Sequence, residues 1–538
     1  MVIKTADICT FEKNFILKTD FLVIGSGIAG LSYAYKVAAY FHQKNYPINV
    51  TIITKVDEDE SNTKYAQGGI ASVTKTTDSF ESHIKDTLIA GDGMCNVEVV
   101  RMVVSQAPER IQELISWGTQ FDKTPSGEYD LAKEGGHSEH RILHFKDLTG
   151  NEIERALIKK VQEHPYITIL NHHFAIDLIT QHHLGEKVTR STPGKKCFGV
   201  YVLNRKTGKI NVLKSKITLL ATGGIGQAYL NTTNPKVATG DGIAMAYRAK
   251  AIIKNMEFVQ FHPTALYQPN ESPSFLISEA VRGAGGILRN HQHEAFMERY
   301  DARKDLASRD IVARAIDAEM KKSGSNHAWL DVSHLHQETF INHFPTIYNK
   351  CKETGIDITK DFIPVVPAAH YLCGGIEVNQ QAQTSIANLY ASGECSSTGL
   401  HGANRLASNS LIEALVYSHN AFLDSIEKVN TIDFQDNIPE WNDEGTKLHN
   451  EGILVEQTKN ELQTILSNYV GIVRSNERLK RALNRLQLIY EESEQFYENS
   501  KLSVPICELR NLRSIAYLVT KAASEQTTNV GLHYNVDN

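Results

Sequence analysis

The stretch Asp20–Ala39, DFLVIGSGIAGLSYAYKVAA, decides the fold of this 538-residue chain. Its apolar run Phe21–Ile24 predicts a short β-strand, and the residues after Gly30 predict a helix. Between them, Gly25, Gly27 and Gly30 form a G-x-G-x-x-G pattern. Such glycines let the backbone approach a pyrophosphate, whose charge lies at the helix N-terminus. Because the strand and the helix are both present, the pattern indicates a dinucleotide site rather than an ordinary turn.

The second predicted strand, Asn49–Thr54, bears on which dinucleotide is bound. An acidic residue near the end of this strand normally binds the ribose hydroxyls of NAD. Here Thr54 and Lys55 occupy that place, and Asp57 comes slightly late. The departure disfavours NAD and leaves FAD open, with Lys55 or backbone groups near the adenosine.

Composition and charge exclude several classes of function. The net charge is −6, and no polybasic tract indicates a nucleic acid or an anionic membrane as partner. Residues 1–20 carry Lys4, Lys13 and Lys18 but no continuous apolar core, so we expect no signal peptide. No apolar run approaches the ~18 residues needed to span a bilayer. The cysteines, Cys9 among them, are scattered and form no C-x-x-C, so we expect reduced thiols in a cytoplasmic enzyme and no metal site.

The order of the remaining segments predicts the domain organisation. Two further buried strands run into glycine turns at 217–224 and 389–394, and residues 81–118 have helical periodicity. The sequence changes character at 252–364, which predicts an inserted domain over the cofactor, and amphipathic helices follow from Val455 to Ser524. We therefore expect an α/β Rossmann-like dinucleotide-binding domain with an inserted domain and a C-terminal helical bundle. The predicted bounds are 1–254 and 365–430 for the dinucleotide-binding domain, 255–364 for the inserted domain and 431–538 for the helical domain.

Four local features have both a structural and a functional interpretation. The glycines of Tyr65–Val73 allow either a β-turn or close approach to a flat cofactor, and the loop Lys133–His144 is either solvated or part of a site. Asp241 can cap the helix that follows it or accept a bond from a ribitol hydroxyl. Arg309 lies near a predicted helix start, where a cation opposes the helix dipole, so it needs a partner or a function.

Several strings, in this order, resemble the succinate dehydrogenase/fumarate reductase flavoprotein family, most closely its branch that oxidises L-aspartate. They are IGSGIAGLS, YAQGGIASV, EGGHS, TGDGIAMAYRA, FHPTALY, RDIVARAID, PAAHYLCGG, TGLHGANRLASNSL and ELRNL. The resemblance runs from about Phe21 to His533. Only the C-terminus departs: SEQTTNVGLH lacks the family's arginines but keeps Gly531 and His533. Contacts from this tail to the flavin domain are therefore not expected to follow the family pattern.

The resemblance implies FAD, and it makes the predicted fold an α/β FAD-binding Rossmann-like domain (1–254 and 365–430) with an inserted, mobile α+β capping domain (255–364) and a C-terminal helical bundle. By motif, the resemblance implies that the pyrophosphate lies against the glycine turn and that the adenosine lies beside Lys55. It also implies that Ser61 and Tyr65–Gly69 line the flavin and that Asp241 and Glu394 bind ribose or ribitol hydroxyls. These cofactor residues are Gly25, Ser26, Gly27, Ile28, Ala29, Gly30, Lys55, Ser61, Tyr65, Ala66, Gln67, Gly68, Gly69, Asp241, Glu394, Ser410 and Leu411. Ser410 and Leu411 lie at a predicted helix N-terminus, whose dipole stabilises an anionic reduced flavin.

The family also divides into covalent and noncovalent flavoproteins. Covalent members attach FAD to a histidine five residues before the Gln-Gly-Gly, and this chain has Asn62 there. We therefore expect noncovalent, dissociable FAD.

The substrate residues follow from the same resemblance. A dicarboxylate needs charge-assisted contacts at both ends, and His262, Ser278, His370 and Arg405 match the family's carboxylate binders. Arg309 matches the residue that moves a proton. Glu134 is the candidate for binding the α-ammonium, because succinate-oxidising relatives lack an acid at this place. Taken singly, His370 could be a structural histidine, Arg405 could cap carbonyls, and Glu134 could be a solvated charge.

Three functions remain open at this stage. The first is FAD-dependent oxidation of L-aspartate to iminoaspartate, with O2 or fumarate as electron acceptor. In the family this step feeds quinolinate and NAD synthesis, which suggests a functional link to quinolinate synthase. The second is a soluble fumarate reductase or succinate-oxidising flavoenzyme. The third is a non-catalytic flavoprotein that binds tRNA or a protein partner, which the absence of a basic stripe disfavours.

Overall fold

The computed structural model describes residues 17–269 and 271–538. Lys4, Lys13 and Cys9, which entered the sequence argument, lie outside these described residues. Among the described helices, none combines the length and the apolar composition needed to cross a bilayer. Within the same residues, no group of His, Cys, Asp or Glu side chains is arranged to hold a metal ion.

The largest sheet has seven strands in the order β6-β2-β1-β9-β8-β7, with β16 also pairing with β9. These strands are β1 (Leu17–Ile24), β2 (Val50–Ile53), β6 (Ile167–Leu170), β7 (His173–Thr180), β8 (Cys197–Asn204), β9 (Ile210–Leu220) and β16 (Leu389–Ala391). Strands β6, β2, β1, β9 and β16 pair in parallel, whereas β7, β8 and β9 pair antiparallel. The carboxyl ends of β1, β9 and β16 therefore meet at one edge, where α/β sheets bind ligands.

Helices cover this sheet and position its loops. They are α1 (Ile28–Gln43), α2 (Phe80–Ala90), α3 (Val97–Ser116), α4 (Thr149–Gln162), α5 (Asp241–Arg248) and α10 (Asn409–Lys428). The helical periodicity at 81–118 corresponds to two helices, α2 and α3, separated by residues 91–96. Asp92 and Gly93 adopt positive φ, and the side chain of Asn96 caps a new helix by accepting from the backbone N–H groups of Glu98 and Val99.

Two small three-stranded sheets lie beside the large one. The first contains β3 (Ile70–Ala71), β4 (Leu131–Ala132) and β5 (Ile142–Leu143). The second contains β10 (Ile253–Lys254), β15 (Gly375–Glu377) and β17 (Ser396–Ser397). The first sheet ties the Gln-Gly-Gly segment to the loop that carries Glu134, because β3 and β4 both pair with β5.

The inserted segment builds a four-stranded antiparallel sheet with a hydrophobic core of its own. Its strands are β11 (Val259–Leu266), β12 (Ile287–Arg289), β13 (Ala328–Asp331) and β14 (Ile363–Leu372), and its helices are α6 (Glu279–Gly283), α7 (Arg309–Ser323), α8 (Gln337–His343) and α9 (Pro345–Glu353). Strand β14 crosses the predicted boundary at residue 364, so the sheet leads directly back into the FAD-binding segment. The exact domain bounds stay a prediction.

The C-terminal helices are α11 (Gly452–Tyr469), α12 (Asn476–Asn499) and α13 (Val504–Glu525). Their apolar faces join the same hydrophobic core as the large sheet.

The tail after these helices does contact the rest of the molecule despite its missing arginines. The backbone N–H of Gly531 donates to Asp92 (2.8 Å), and that of Leu532 donates to the carbonyl of Ala403 (3.0 Å). Arg314 of α7 donates to the Gly531 carbonyl (3.3 Å). The tail makes these contacts through its own backbone groups, so they do not depend on the arginines that it lacks.

Candidate active site

Every predicted site residue except Gly30 lines one cavity. The cavity contains about 1710 Å³ of empty space, part of it open to solvent. It lies where the carboxyl ends of β1, β9 and β16 meet the inserted segment. Single small ligands usually occupy about 300–1,000 Å³, so this cavity has room for a dinucleotide and a dicarboxylate together.

The glycine turn at the start of α1 makes one wall of the cavity. Gly25 has a φ of +113°, and a Cβ there would lie 2.1 Å from the carbonyl oxygen of Ala221. Gly27 precedes α1, and no side chain caps the helix at that position. Gly30 faces away from the cavity: a Cβ there would meet the carbonyl of Gly25 at 2.1 Å, so this glycine allows close packing of helix on strand.

Lys55, which is predicted to lie beside the adenosine, belongs to a buried network. Its Nζ donates to Thr239 (2.7 Å), Asp241 (2.8 Å) and Glu508 (2.6 Å). Burial alone would lower the pKa of Lys55, but the two carboxylates outweigh it and raise that pKa. The other oxygen of Asp241 accepts from Asn511 on α13 (2.8 Å). Asp241 therefore does not act as a side-chain cap of α5, and the C-terminal domain supplies part of this site.

The wall of the cavity formed by Tyr65–Gly69 contains an orphaned polar group. The side-chain oxygen of Gln67 is buried and has no hydrogen-bond partner among the described residues. A Cβ on Gly69 would lie 2.3 Å from the carbonyl of Leu143, so the segment packs more tightly than an ordinary β-turn requires. Together with the glycine turn, the unsatisfied amide fits a bound FAD.

Asn62, at the covalent-histidine position, has a different role here. Its amide donates to Glu394 (2.9 Å), which also accepts from the backbone N–H of Leu372 (3.0 Å). Burial raises the pKa of Glu394 to about 7, although both hydrogen bonds oppose the shift. Ser61 lines the same wall and donates to the buried Glu154 (2.5 Å).

Arg405 is the main cation at the substrate end. It donates to Gln260 (3.2 Å) and Ser410 (2.9 Å), and its guanidinium lies 4.5 Å from the ring centroid of Tyr371. The structure records no ion pair for it within the described residues. Burial and the neighbouring Arg309 lower the pKa of Arg405 from its ordinary value. A buried, unpaired guanidinium in a cavity is suited to a carboxylate ligand.

His262 and His370 face each other with ring centroids 5.2 Å apart. Burial and then nearby arginines hold both pKa values well below the ordinary value, so both rings are neutral. The backbone N–H of Thr264 donates to Nδ1 of His262 (3.2 Å). The proton of the neutral His262 ring therefore lies on Nε2, which can donate it to a ligand. Nδ1 of His370 lies 2.8 Å from the hydroxyl of Thr233.

Arg309 begins α7, and it has the partner that its position demands. Its Nε donates to Glu279 (2.6 Å), and its Nη1 donates to Gln260 (3.2 Å). Arg282 lies 3.7 Å from the other oxygen of Glu279 and donates to the carbonyl of Asp305. Burial would raise the pKa of Glu279, but the two arginines outweigh it and hold that pKa below its ordinary value. The carboxylate is therefore ionised between two guanidinium groups.

Glu134 enters the cavity from the loop between β4 and β5. One of its oxygens accepts from the hydroxyl of Ser408 (2.6 Å). Ser408 has a φ of +61° at the start of α10, and its side chain binds Glu134 instead of capping the helix. Ser278, the remaining predicted binder, caps α6 by accepting from Ala280 (3.3 Å). The structure thus brings the six predicted substrate and proton-transfer residues into one cavity.

Sequence reasoning missed the side chains that hold these residues in place. Gln260 bridges Arg309 and Arg405, Glu279 pairs with Arg309, and Glu508 pairs with Lys55. Gln260 and Glu279 stand in strings with no chemical pattern of their own. Glu508 belongs to the ELRNL string, which indicated the resemblance but no role.

Comparison with known proteins agrees with this geometry. Residues 20–411 match the family model described as FAD binding domain, and residues 459–538 match fumarate reductase flavoprotein C-term. L-aspartate oxidase 2-b, chloroplastic, of Nicotiana tabacum is 47% identical over 96% of this chain and 81% of the relative. L-aspartate oxidase of Vibrio cholerae is 45% identical over 96% of this chain and 95% of the relative.

A solved structure extends the comparison to the fold. The quinol fumarate reductase FrdA of E. coli is 27% identical and superposes with a TM-score of 0.83, covering 97% of this chain and 92% of that chain. Its likeness spans the FAD-binding, inserted and C-terminal segments. The chain belongs to the succinate dehydrogenase/fumarate reductase flavoprotein family and, within it, to the L-aspartate oxidases.

Proposed function

We propose that this protein oxidises L-aspartate to iminoaspartate with noncovalently bound FAD and passes the electrons to O2 or fumarate. The observation that carries the proposal is the position of Glu134. This carboxylate lines the same cavity as the unpaired Arg405 and the paired histidines, so one site offers contacts for two carboxylates and one ammonium. Relatives that bear the name L-aspartate oxidase support the same substrate.

The proposed substrate-binding residues include one cation and several neutral hydrogen-bonding groups. Arg405 supplies a full positive charge to one carboxylate of the substrate, and the neutral rings of His262 and His370 supply hydrogen-bond donors for carboxylate oxygens. Ser278 at the start of α6 adds a hydroxyl. Because the site is buried, these interactions are stronger than they would be in water. They also fix which carbon of the substrate faces the cofactor.

Bound FAD supplies the hydride acceptor for this reaction. Ser26–Ala29 would hold its pyrophosphate at the N-terminus of α1, and Lys55 would lie beside the adenosine. Tyr65–Gly69 and the N-terminus of α10 at Ser410 and Leu411 would surround the flavin. With Asn62 in place of the linking histidine, these contacts are noncovalent.

Arg309 is the residue placed to exchange a proton with the substrate. Its guanidinium faces the cavity, while Glu279 behind it can accept and return a proton. Arg282 continues this row toward Asp305. A relay of this kind lets an arginine serve in proton transfer, because both side chains are largely buried and little water competes for their protons.

A soluble fumarate reductase or succinate oxidase is the competing function. The carboxylate binders alone suit either substrate, since aspartate, succinate and fumarate share two carboxylates. Glu134 favours aspartate because its carboxylate can pair with the α-ammonium, a group that succinate and fumarate lack. We place the protein in the cytoplasm, in de novo NAD biosynthesis, with quinolinate synthase as the consumer of its product. We also retain the four-segment domain division as part of this proposal.

An assay of substrate range tests the function directly. Purified protein with FAD is mixed aerobically with aspartate, succinate and other amino acids, and peroxide is measured. Anaerobic aspartate is also expected to bleach the flavin absorbance, and fumarate to restore it. Peroxide from succinate but not aspartate would favour the competing function, and no bleaching by any dicarboxylate would refute both.

A further inference from the structure

Gly135 makes a contact that the mechanism above does not use. It follows Glu134 in the loop between β4 and β5, and its backbone lies against the carboxylate of Glu279 from the inserted segment. A Cβ built on Gly135 would lie 2.0 Å from one oxygen of Glu279 and 3.1 Å from its carboxyl carbon. Real side chains do not approach this closely, so no other residue type fits without moving Glu279.

Glu279 has little freedom to move away. Its side chain is 11% exposed, one oxygen binds Nε of Arg309 at 2.6 Å, and the other oxygen faces Arg282 at 3.7 Å. The oxygen that a Cβ would strike is the one that faces Arg282. Any displacement of this carboxylate therefore changes its contacts with the guanidinium groups of Arg309 and Arg282.

The same short loop touches both halves of the site. Glu134 accepts from Ser408 at the start of α10, whereas Gly135 contacts Glu279 on α6. His137 fixes the loop from the other side, with its Nε2 2.9 Å from the carbonyl of Ala407. Glu134, the proposed ligand of the amine, is thus the direct neighbour in sequence of Gly135, which contacts the Glu279–Arg309 pair.

We propose that Gly135 is a positioning residue for proton transfer: its bare backbone sets the place of the Glu279 carboxylate and, through it, the place of Arg309. The inference rests on the proposed role of Arg309. It predicts that a single added methyl group disturbs proton transfer and leaves carboxylate binding intact, because the three atoms nearest to that methyl group all belong to Glu279 and none to Arg405 or the histidines.

The test compares Gly135→Ala with Gly283→Ala in the FAD-loaded enzyme. Gly283 lies in α6 with Glu279, and a Cβ there would meet nothing within 4 Å, so it is a matched control. The backbone at Gly135 does not have positive φ, so alanine adds a contact without backbone strain. Anaerobic bleaching by saturating aspartate and the reverse reduction of fumarate are both expected to slow by about 10²-fold in Gly135→Ala. The dissociation constant of malonate, read from the flavin spectrum, is expected to stay within about twofold of the wild type.

A second variant identifies the contact as the cause. Glu279→Asp withdraws the carboxylate from Gly135 and is expected to be slow by itself, but adding Gly135→Ala to it should cost no more than about twofold further. An equal loss in both backgrounds would overturn the proposal, as would normal rates for Gly135→Ala. A loss confined to aspartate would mean that the methyl group acts through Glu134 and would also overturn it.

A crystal structure separates this proposal from the proposed function. In Gly135→Ala the bond between Glu279 and Nε of Arg309 is expected to be broken, and an unchanged 2.6 Å distance would contradict the inference whatever the substrate. If wild-type enzyme is not bleached by aspartate, the proposed function fails, while this distance still decides the role of Gly135.

Discussion

Replacing Glu134 by glutamine tests what makes the site select an amine. Glutamine has the same shape, and its oxygen can still accept from the hydroxyl of Ser408, which lies 2.6 Å from the carboxylate. The substitution therefore removes the charge and keeps the loop in place. Removing one partner of a buried charge pair costs about 2–5 kcal/mol. We expect kcat/KM for aspartate to fall by roughly 30-fold to several-thousand-fold.

Fumarate reduction supplies the internal comparison for this variant. Fumarate has no ammonium, so its reduction is expected to persist in Glu134→Gln. Glu139→Gln removes an exposed charge from the same loop and is expected to change neither reaction. Peroxide release gives kcat/KM for aspartate, and fumarate-dependent reoxidation of reduced flavin gives the second rate. Equal loss of both reactions would show that Glu134 shapes the site, and no loss would show that it is a solvated loop charge.

Three other measurements test separate parts of the structure. Arg309→Leu is expected to lower both reactions by about 10²–10⁴-fold or more with FAD still bound; the exposed Arg303→Leu is its control, and a near-normal kcat would remove Arg309 from the mechanism. Acid precipitation is expected to leave all flavin in the supernatant because Asn62 replaces the linking histidine, whereas a yellow pellet would contradict noncovalent binding. Burial lowers the pKa of His83 to about 3, so the unfolded chain binds the extra proton and stability is lost as pH falls below about 6.5. Urea titration from pH 7 to 5.5 should show the wild type losing about 1 kcal/mol more unfolding free energy than His83→Gln, and equal losses would refute this.

The parts of the site that the sequence could predict are local. The glycine turn combines a strand, close backbone approach and a helix start within about ten residues. Its function can therefore be predicted from Gly25 and its neighbours in sequence. The substrate residues were recognisable only through a resemblance, because a single histidine or arginine such as His370 or Arg405 has several ordinary explanations. All of them line the cavity, yet their individual roles stay predictions.

The parts that sequence reasoning missed depend on contacts between distant segments. The role of Glu279 depends on its contact with Arg309, thirty residues later in the chain, and on its contact with the backbone of Gly135 in a distant segment. The periodicity at 81–118 predicts helix but does not locate the break between α2 and α3. The local signals for that break are Gly93 and the capping residue Asn96.

The pairing of Lys55 with Glu508 has a consequence for how the protein is made. The two residues are 453 positions apart, so Lys55 waits for its second carboxylate until 453 further residues have been synthesised. At about 5–20 residues per second, that delay is roughly 20–90 s on the ribosome. During this time the nascent cofactor cleft has only part of its wall, and Asp241 is the one carboxylate of the pair that can reach Lys55. Full retention of FAD is therefore a late event of biogenesis, and chains that stop before α13 are expected to leave the ribosome without a firmly held flavin.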